Sequence, residues 1–374
     1  MQQIHCKLVA SAAALLVLVL ARPALAARPA AKATAKGNTI SGVALSRTSF
    51  NPSQGEELEI SYRLAAADGV RVRVYDPDGG LVRVLVNGEK RPAGLHKEKW
   101  DGKDLEGKIV PDEAYLFTVE TASGAVYDPT TTSGGVVGDL TEAKFDRTAG
   151  TVSYQLPAAS RVLIRLGLHN GPMLKTLVDW KPRPEGAVTE YWNGRDEDGL
   201  FELRGRPGFN TLITYVTLPD ATVIAFGNPT SAYRDYKLGP AKNRPAKPER
   251  QVKPELQAQQ RPEGLVPPAW ARAPKVAMTF PQAGDAKIPA VKKEVAVRVD
   301  VDPADRELLF RDQFEVIFFV DNVFFAEAER GHLPFNWRWE LQQFPPGEHI
   351  LTVNVSSFKG QVGVASRKVQ VVAE

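Results

Sequence analysis

Four histidines follow the N-terminal stretch: His96, His169, His332 and His349. Imidazoles hold a transition metal when two share one face at His-x-His or His-x-x-x-His spacing, and no pair here has it. Each sits at an expected turn or strand end. The chain has no Gly-x-Ser-x-Gly elbow and no P-loop, and its single cysteine, Cys6, lies in the N-terminal segment. Hydrolase, nucleotide and thiol chemistry therefore lack their parts. Six aspartates in turn sequences, Asp76, Asp78, Asp101, Asp104, Asp196 and Asp198, could be read as calcium ligands. Calcium takes roughly six to eight oxygens, and two or three carboxylates beside Lys103 and Arg195 fall short. Asx-turns account for them better. The expectation is no catalytic residue, no cofactor and no metal, with ligand-binding residues unidentified.

Aromatic residues offer a second chemistry. Phe318, Phe319, Phe324, Phe325, Phe335, Trp337 and Trp339 are dense enough to make a sugar-stacking platform. They are also what a cysteine-free sandwich needs to fill its interior, and that reading is favoured. Neighbours on a strand point to opposite faces. One of Phe318/Phe319 and one of Phe324/Phe325 must then face a neighbouring domain, a ligand or solvent.

The elements that position these residues come in a repeat. Between Ser61 and Gly107 the chain repeats at a constant offset of 92 residues. Ser61-Tyr62-Arg63-Leu64 returns as Ser153-Tyr154-Gln155-Leu156, and Trp100-Asp-Gly-Lys-Asp104 as Trp192-Asn-Gly-Arg-Asp196. A period this long describes two similar domains, not a solenoid. The Trp is a large apolar anchor at a strand end, and the Gly after it supplies the positive φ of a tight turn.

Short alternating stretches such as Glu57–Leu64 and Val70–Tyr75, the latter ended by Asp76-Pro77-Asp78-Gly79-Gly80, read as strands and turns. No segment shows a sustained helical period. A third unit, with Val295–Asp300, Phe314–Asp321, Phe335–Trp339 and Gly347–Val355 as strands, is out of register with the repeat. The expected fold is all-β: three Ig-like or fibronectin-like β-sandwich domains in tandem, with a Pro/Lys-rich linker before the third. The boundaries are 40–126, 127–230 and 276–374, with the linker at 231–275. Lys237 to Lys275 holds eight prolines, nine Lys or Arg and three Glu. That composition gives an extended, semi-rigid spacer, kept solvated by its lysines or holding an acidic polymer.

Residues 1–26 read as a signal peptide: Lys7, then 14 apolar-rich residues Leu8–Ala21, then Ala24-Leu25-Ala26 as a cleavage site. The apolar run is shorter than the roughly 17–25 residues that span a bilayer. Residues 27–39 are a tether. The protein is thus expected to be extracytoplasmic, periplasmic or secreted, with no transmembrane segment after cleavage. A net charge of +3 on 374 residues argues against nucleic acid as a partner.

The run from Val70-Arg-Val-Arg-Val-Tyr75 through Asp-Pro-Asp-Gly-Gly, Gly94-Leu-His, Trp100-Asp-Gly-Lys-Asp-Leu-Glu-Gly107 and Val110-Pro-Asp-Glu-Ala-Tyr115 resembles the Ig-like domain at the C-terminal end of the flagellar hook-capping (hook-assembly) protein. The second copy keeps Trp192-Asn-Gly-Arg-Asp and Gly199 but lacks the Val-Pro…Tyr close. The third unit, through Phe335-Asn-Trp337 and Gly347–Val353, is similar to small Ig-like domains of bacterial surface proteins. The resemblance implies a non-catalytic scaffold, adhesion or assembly module holding a protein or cell-envelope partner through sandwich edges and loops. The alternatives are a carbohydrate-binding accessory protein working through the third domain's aromatics, and a flagellar or appendage assembly factor.

Overall fold

In the computed structural model the chain is described over residues 40–229 and 272–373, apart from 78, 147, 284 and 285. The expected signal peptide, the tether and nearly all of the linker lie outside the described residues.

Alternating apolar residues at 58, 60, 62 and 64 and at 70, 72 and 74 build the first sandwich. Its strands are β1 (Ile40–Leu45), β2 (Ser49–Phe50), β3 (Leu58–Leu64), β4 (Asp68–Tyr75), β5 (Leu81–Arg91), β6 (Gly94–Trp100), β7 (Glu113–Thr121) and β8 (Val126–Tyr127). One sheet runs β1-β3-β6; β7, β4 and β5 belong to the other. Phe50, Leu58, Tyr62, Val72, Trp100, Tyr115 and Phe117 fill the space between them.

The second sandwich uses β9 (Val137–Leu140), β10 (Lys144–Asp146), β11 (Thr151–Leu156), β12 (Ser160–Leu168), β13 (Met173–Arg183), β14 (Gly186–Tyr191) and β15 (Phe209–Thr217). Its sheets are β10-β11-β14 and β13-β12-β15-β9. Strands β5 and β13 are both 11 residues long and start 92 residues apart, so the repeat is structural as well as sequential.

The next strand, β16 (Val223–Ala225), leaves the second sandwich. It enters the first one between β2 and β7, parallel to β2 and antiparallel to β7, in the order β2-β16-β7-β4-β5. Val223 and Ala225 belong to the first core. The sequence reading put these residues with the second unit. Three apolar residues carry no periodicity that tells which neighbour they will complete.

The third sandwich has sheets β17-β19-β22 and β18-β24-β23-β20-β21. These are β17 (Val276–Thr279), β18 (Ala290–Val291), β19 (Glu294–Val301), β20 (Phe314–Val320), β21 (Val323–Ala328), β22 (Phe335–Glu340), β23 (Gly347–Ser357) and β24 (Val362–Val371). An α-helix, α1 (Pro303–Asp312), joins β19 to β20. The sequence reading expected no helix. Leu308, Leu309 and Phe310 are contiguous instead of spaced by helical turns, and only Leu309 among them is buried. The local signal is the cap: the Asp302 carboxylate accepts from Ala304 N, and Pro303 opens the first turn.

Candidate functional site

The repeated turn is built alike in both copies. The Trp100 indole N–H donates to Lys103 O at 3.0 Å, and that of Trp192 to Arg195 O at 2.7 Å. Asp101 Oδ1 accepts from Lys103 N, and Asn193 Oδ1 from Arg195 N. Each turn is closed from the far side, by Val110 N to Gly102 O and by Leu203 N to Gly194 O. The second loop is one residue longer here. Both indoles are buried, at 0% and 6% exposure, so the motif anchors a core and presents no ring to a ligand.

A second duplicated constellation was not read from the sequence. Tyr62 Oη donates to Glu98 at 3.0 Å, and Arg91 pairs with the same carboxylate. Tyr154, Glu190 and Arg183 repeat this, with Tyr154 Oη to Glu190 at 3.0 Å and Arg183 Nε to Glu190 at 2.6 Å. Burial, then the adjacent carboxylate, pushes both phenols well above the usual tyrosine range. All three members recur at the 92-residue offset, which was the signal available. Each cluster ties β3 to β6, or β11 to β14; in the first, the Arg91 Nε is left buried without a hydrogen-bond partner among the described residues. Neither has a nucleophile beside a free base.

Two junctions join the sandwiches. At the first, Arg161 of β12 forms a fork with Glu113 of β7, both almost fully buried, and donates also to Trp180 O. Trp180 holds φ +49° at the position where the first copy has Gly88 at φ +78°. A bulky residue rarely adopts that conformation; here it turns a carbonyl toward the guanidinium. The counterpart of Arg161 in the first copy is Gly69, so this contact belongs to the second copy alone.

At the second junction the third sandwich packs on the edge of β13. The Asn354 side-chain amide accepts from Met173 N at 2.9 Å and donates to Met173 O at 2.8 Å, mimicking a strand partner. Asp198 accepts from Ser366 N, Asp179 from Ala273 N, and Arg165 donates to Gly360 O. Ile350 packs against the second core. Desolvation raises both carboxyl pKa values and outweighs the hydrogen bonds that lower them.

The other residues singled out by sequence have local roles. Asp76 accepts from Gly80 N, Asp104 from Glu106 N and Lys108 N, and Asp196 from Phe201 N, as Asx-type turns do. Asp78 lies outside the described residues. No group of three or more His, Cys, Asp or Glu among the described residues is placed to hold a metal. His96 bonds Pro92 O, His332 packs on Phe335, and His349 bridges Asp321 and Pro345 O. Phe318, Phe335 and Trp339 are buried in the third core, and Trp337 packs on Phe318 at 4.5 Å. The face that could have been a sugar platform is turned inward. Phe319 and Phe324 are the outward members of their pairs, and Phe324 is half exposed.

Residues 48–125 match the family model of the FlgD Ig-like domain. The chain is 41% identical over 58 residues to the basal-body rod modification protein FlgD of Salmonella typhimurium, covering 16% of this chain and 25% of that one. A solved FlgD structure from P. aeruginosa is similar at 30% identity over 23% of this chain and 67% of that chain, with a TM-score of 0.20. An endo-β-1,4-mannanase from Thermotoga petrophila aligns at 19% identity over 49% of this chain and 30% of its own, with a TM-score of 0.23. The first sandwich therefore contains a hook-capping-type Ig-like domain. The chain spans a quarter of the length of the curated relatives it matches. The family match ends at residue 125, whereas the core it describes is completed by β16.

Proposed function

We propose that this protein is a non-catalytic extracytoplasmic scaffold, an arm of two hook-cap-like sandwiches and a third Ig-like one that holds a protein or envelope partner through its edges and loops. One observation carries the reading: the strand after the second sandwich is built into the first. Together with the buried Arg161–Glu113 fork, it makes the junction a packed interface instead of a flexible joint. Binding modules on floppy linkers do not need this; a spacer that must keep its span does. No helix among the described residues is long and apolar enough to cross a membrane, and the signal-like N-terminus supports export.

The test is a distance measurement coupled to capture. Spin labels at exposed positions of the first and second sandwiches should give one narrow distance distribution. Photo-crosslinkers on the same domains, in the native envelope, should trap a small, reproducible set of structural proteins. A broad distribution, or turnover of a substrate, would sink the scaffold reading. The FlgD match supports a second reading, an appendage-assembly factor. Loss of appendages in a strain lacking this protein would favour it over a general envelope scaffold.

A further inference from the structure

Among the described residues, strand β5 closes one side of the first sandwich and pairs only with β4, and strand β21 closes one side of the third and pairs only with β20. Along its pairing with β4, β5 has three register shifts, whereas β21 has one against β20; the middle shift of β5, at Leu85, falls in the same phase as that of β21, at Phe325. In β5, Val84 lies opposite outward Arg73 and Asn87 opposite outward Arg71, while Leu85 and Val86 turn to the core. In β21, Phe324 lies opposite outward Phe319 and Glu327 opposite outward Ile317, while Phe325 packs on the core and Ala326 lies opposite inward Phe318. Each edge thus reads outward, inward, inward, outward. An ordinary strand falls out of phase with a bulged one after a residue or two; these two stay in step over residues 84–87 and 324–327, up to the next register shift of β5 at Gly88.

Chemistry matches along the same register. Aligned in parallel, Val84 meets Phe324 and Asn87 meets Glu327. Arg71, exposed and without an ion-pair partner among the described residues, reaches across Gly88 beside Asn87. Glu327 is exposed and likewise without an ion pair, and Glu315 and Glu329 lie nearby. Glu89 and Arg330 are the counter-charges beside each edge. The molecule already uses this kind of surface: the counterpart of β5 in the second copy, β13, is covered by the third sandwich through Asn354. Among the described residues the first copy's edge has no such cover.

We infer that the β5 edge of one molecule takes the β21 edge of a second copy as a parallel strand, with Val84 against Phe324 and Arg71 against Glu327. The contact joins unlike surfaces, so it is head-to-tail and runs on into a closed ring or an open filament. It names one partner for the scaffold proposed above and is read without any other protein, so either idea can fail alone.

The experiment is sedimentation velocity and light scattering on the full chain over a concentration series at low and high salt. Mass should grow with concentration at low salt and fall back as salt screens the pair. Glu327→Arg and Arg71→Glu should each weaken association by about tenfold or more, since each sets like charges face to face. Both positions are exposed, so thermal melts should match the parent. Mixing the two variants in equal amounts should restore growth, because each then offers the other a complementary edge. A parent chain monomeric at every concentration overturns the proposal. So does association that the variants leave intact, or that mixing fails to restore.

Discussion

The first and second sandwiches share a sequence pattern yet close their cores differently. In the first, Trp100 packs on Phe50 and Tyr115, at 5.4 and 5.3 Å, and the strand beside β7 arrives from residues 223–225. In the second, Trp192 packs on Phe145 and Phe209, at 5.5 and 5.6 Å, and the strand beside β15 arrives from residues 137–140, ahead of the repeat. Phe209 takes the role that the missing Tyr leaves open. The repeat therefore encodes the turn and the sheet-to-sheet tie. Which stretch of chain completes the sheet is decided outside it.

The most damaging way to probe this difference is at the anchors. Trp100→Ala should cost the first sandwich about 5 kcal/mol and Trp192→Ala about 3 kcal/mol in the second, the range for burying versus deleting a large aromatic. Trp100 is the more enclosed of the two. Equal losses in denaturant titrations would mean that the two cores are interchangeable after all. Next comes the asymmetric junction. Glu113→Ala should destabilise the pair of sandwiches by about 3 kcal/mol by stranding buried Arg161. Glu113→Leu with Arg161→Met should recover most of that loss, and failure to recover would show that the fork is needed for its shape.

The tyrosine clusters should behave alike. Tyr62→Phe and Tyr154→Phe each remove one hydrogen bond to a carboxylate that keeps its arginine, so each should cost about 1 kcal/mol. The smallest effect is the pH response of the seam between the second and third sandwiches. Desolvated Asp179 and Asp198 have raised folded-state pKa values, so they bind protons more tightly when the seam is formed. Acidification toward the ordinary carboxylate range should tighten the seam. His349 acts in the same direction. Desolvation lowers its pKa, but the Asp321 and Pro345 hydrogen bonds and the Asp321 charge raise it further than that. Its contribution is complete below about 6.5 and fades as pH rises through the folded value. Melting curves of the parent between pH 5 and 8 should show this trend. Asp198→Asn with His349→Gln should weaken it, and adding Asp179→Asn should flatten it.

What could be read in advance was local. Strands such as Leu58–Leu64 and Glu294–Val301 follow from two-residue alternation, and the Trp100 and Trp192 turns from an Asp-Gly or Asn-Gly after a strand. That the face of Trp337 and Trp339 turns to the core followed from the need to fill an interior without disulfides, whereas which of Phe318 and Phe319 turns inward did not. The helix Pro303–Asp312 did not, because its apolar residues are contiguous and its cap is a three-residue signal. Arg161, Glu113, Asn354 and Asp179 carry no periodic mark either. Their partners lie 48, 48, 181 and 94 residues away, and pairings at that distance are set by packing, which a linear pattern does not contain.

The return of β16 to the first sandwich also sets a schedule for the growing chain. Emerging N-terminus first into the compartment where it folds, β1 to β7 have their sheet one strand short for the interval until residue 225 follows, about 100 residues after β7 ends. During it the first domain offers an unfilled slot between β2 and β7, while the second domain has every strand it needs by Thr217. Birth order and folding order are therefore reversed for this pair. The N-terminal sandwich, made first, is finished last.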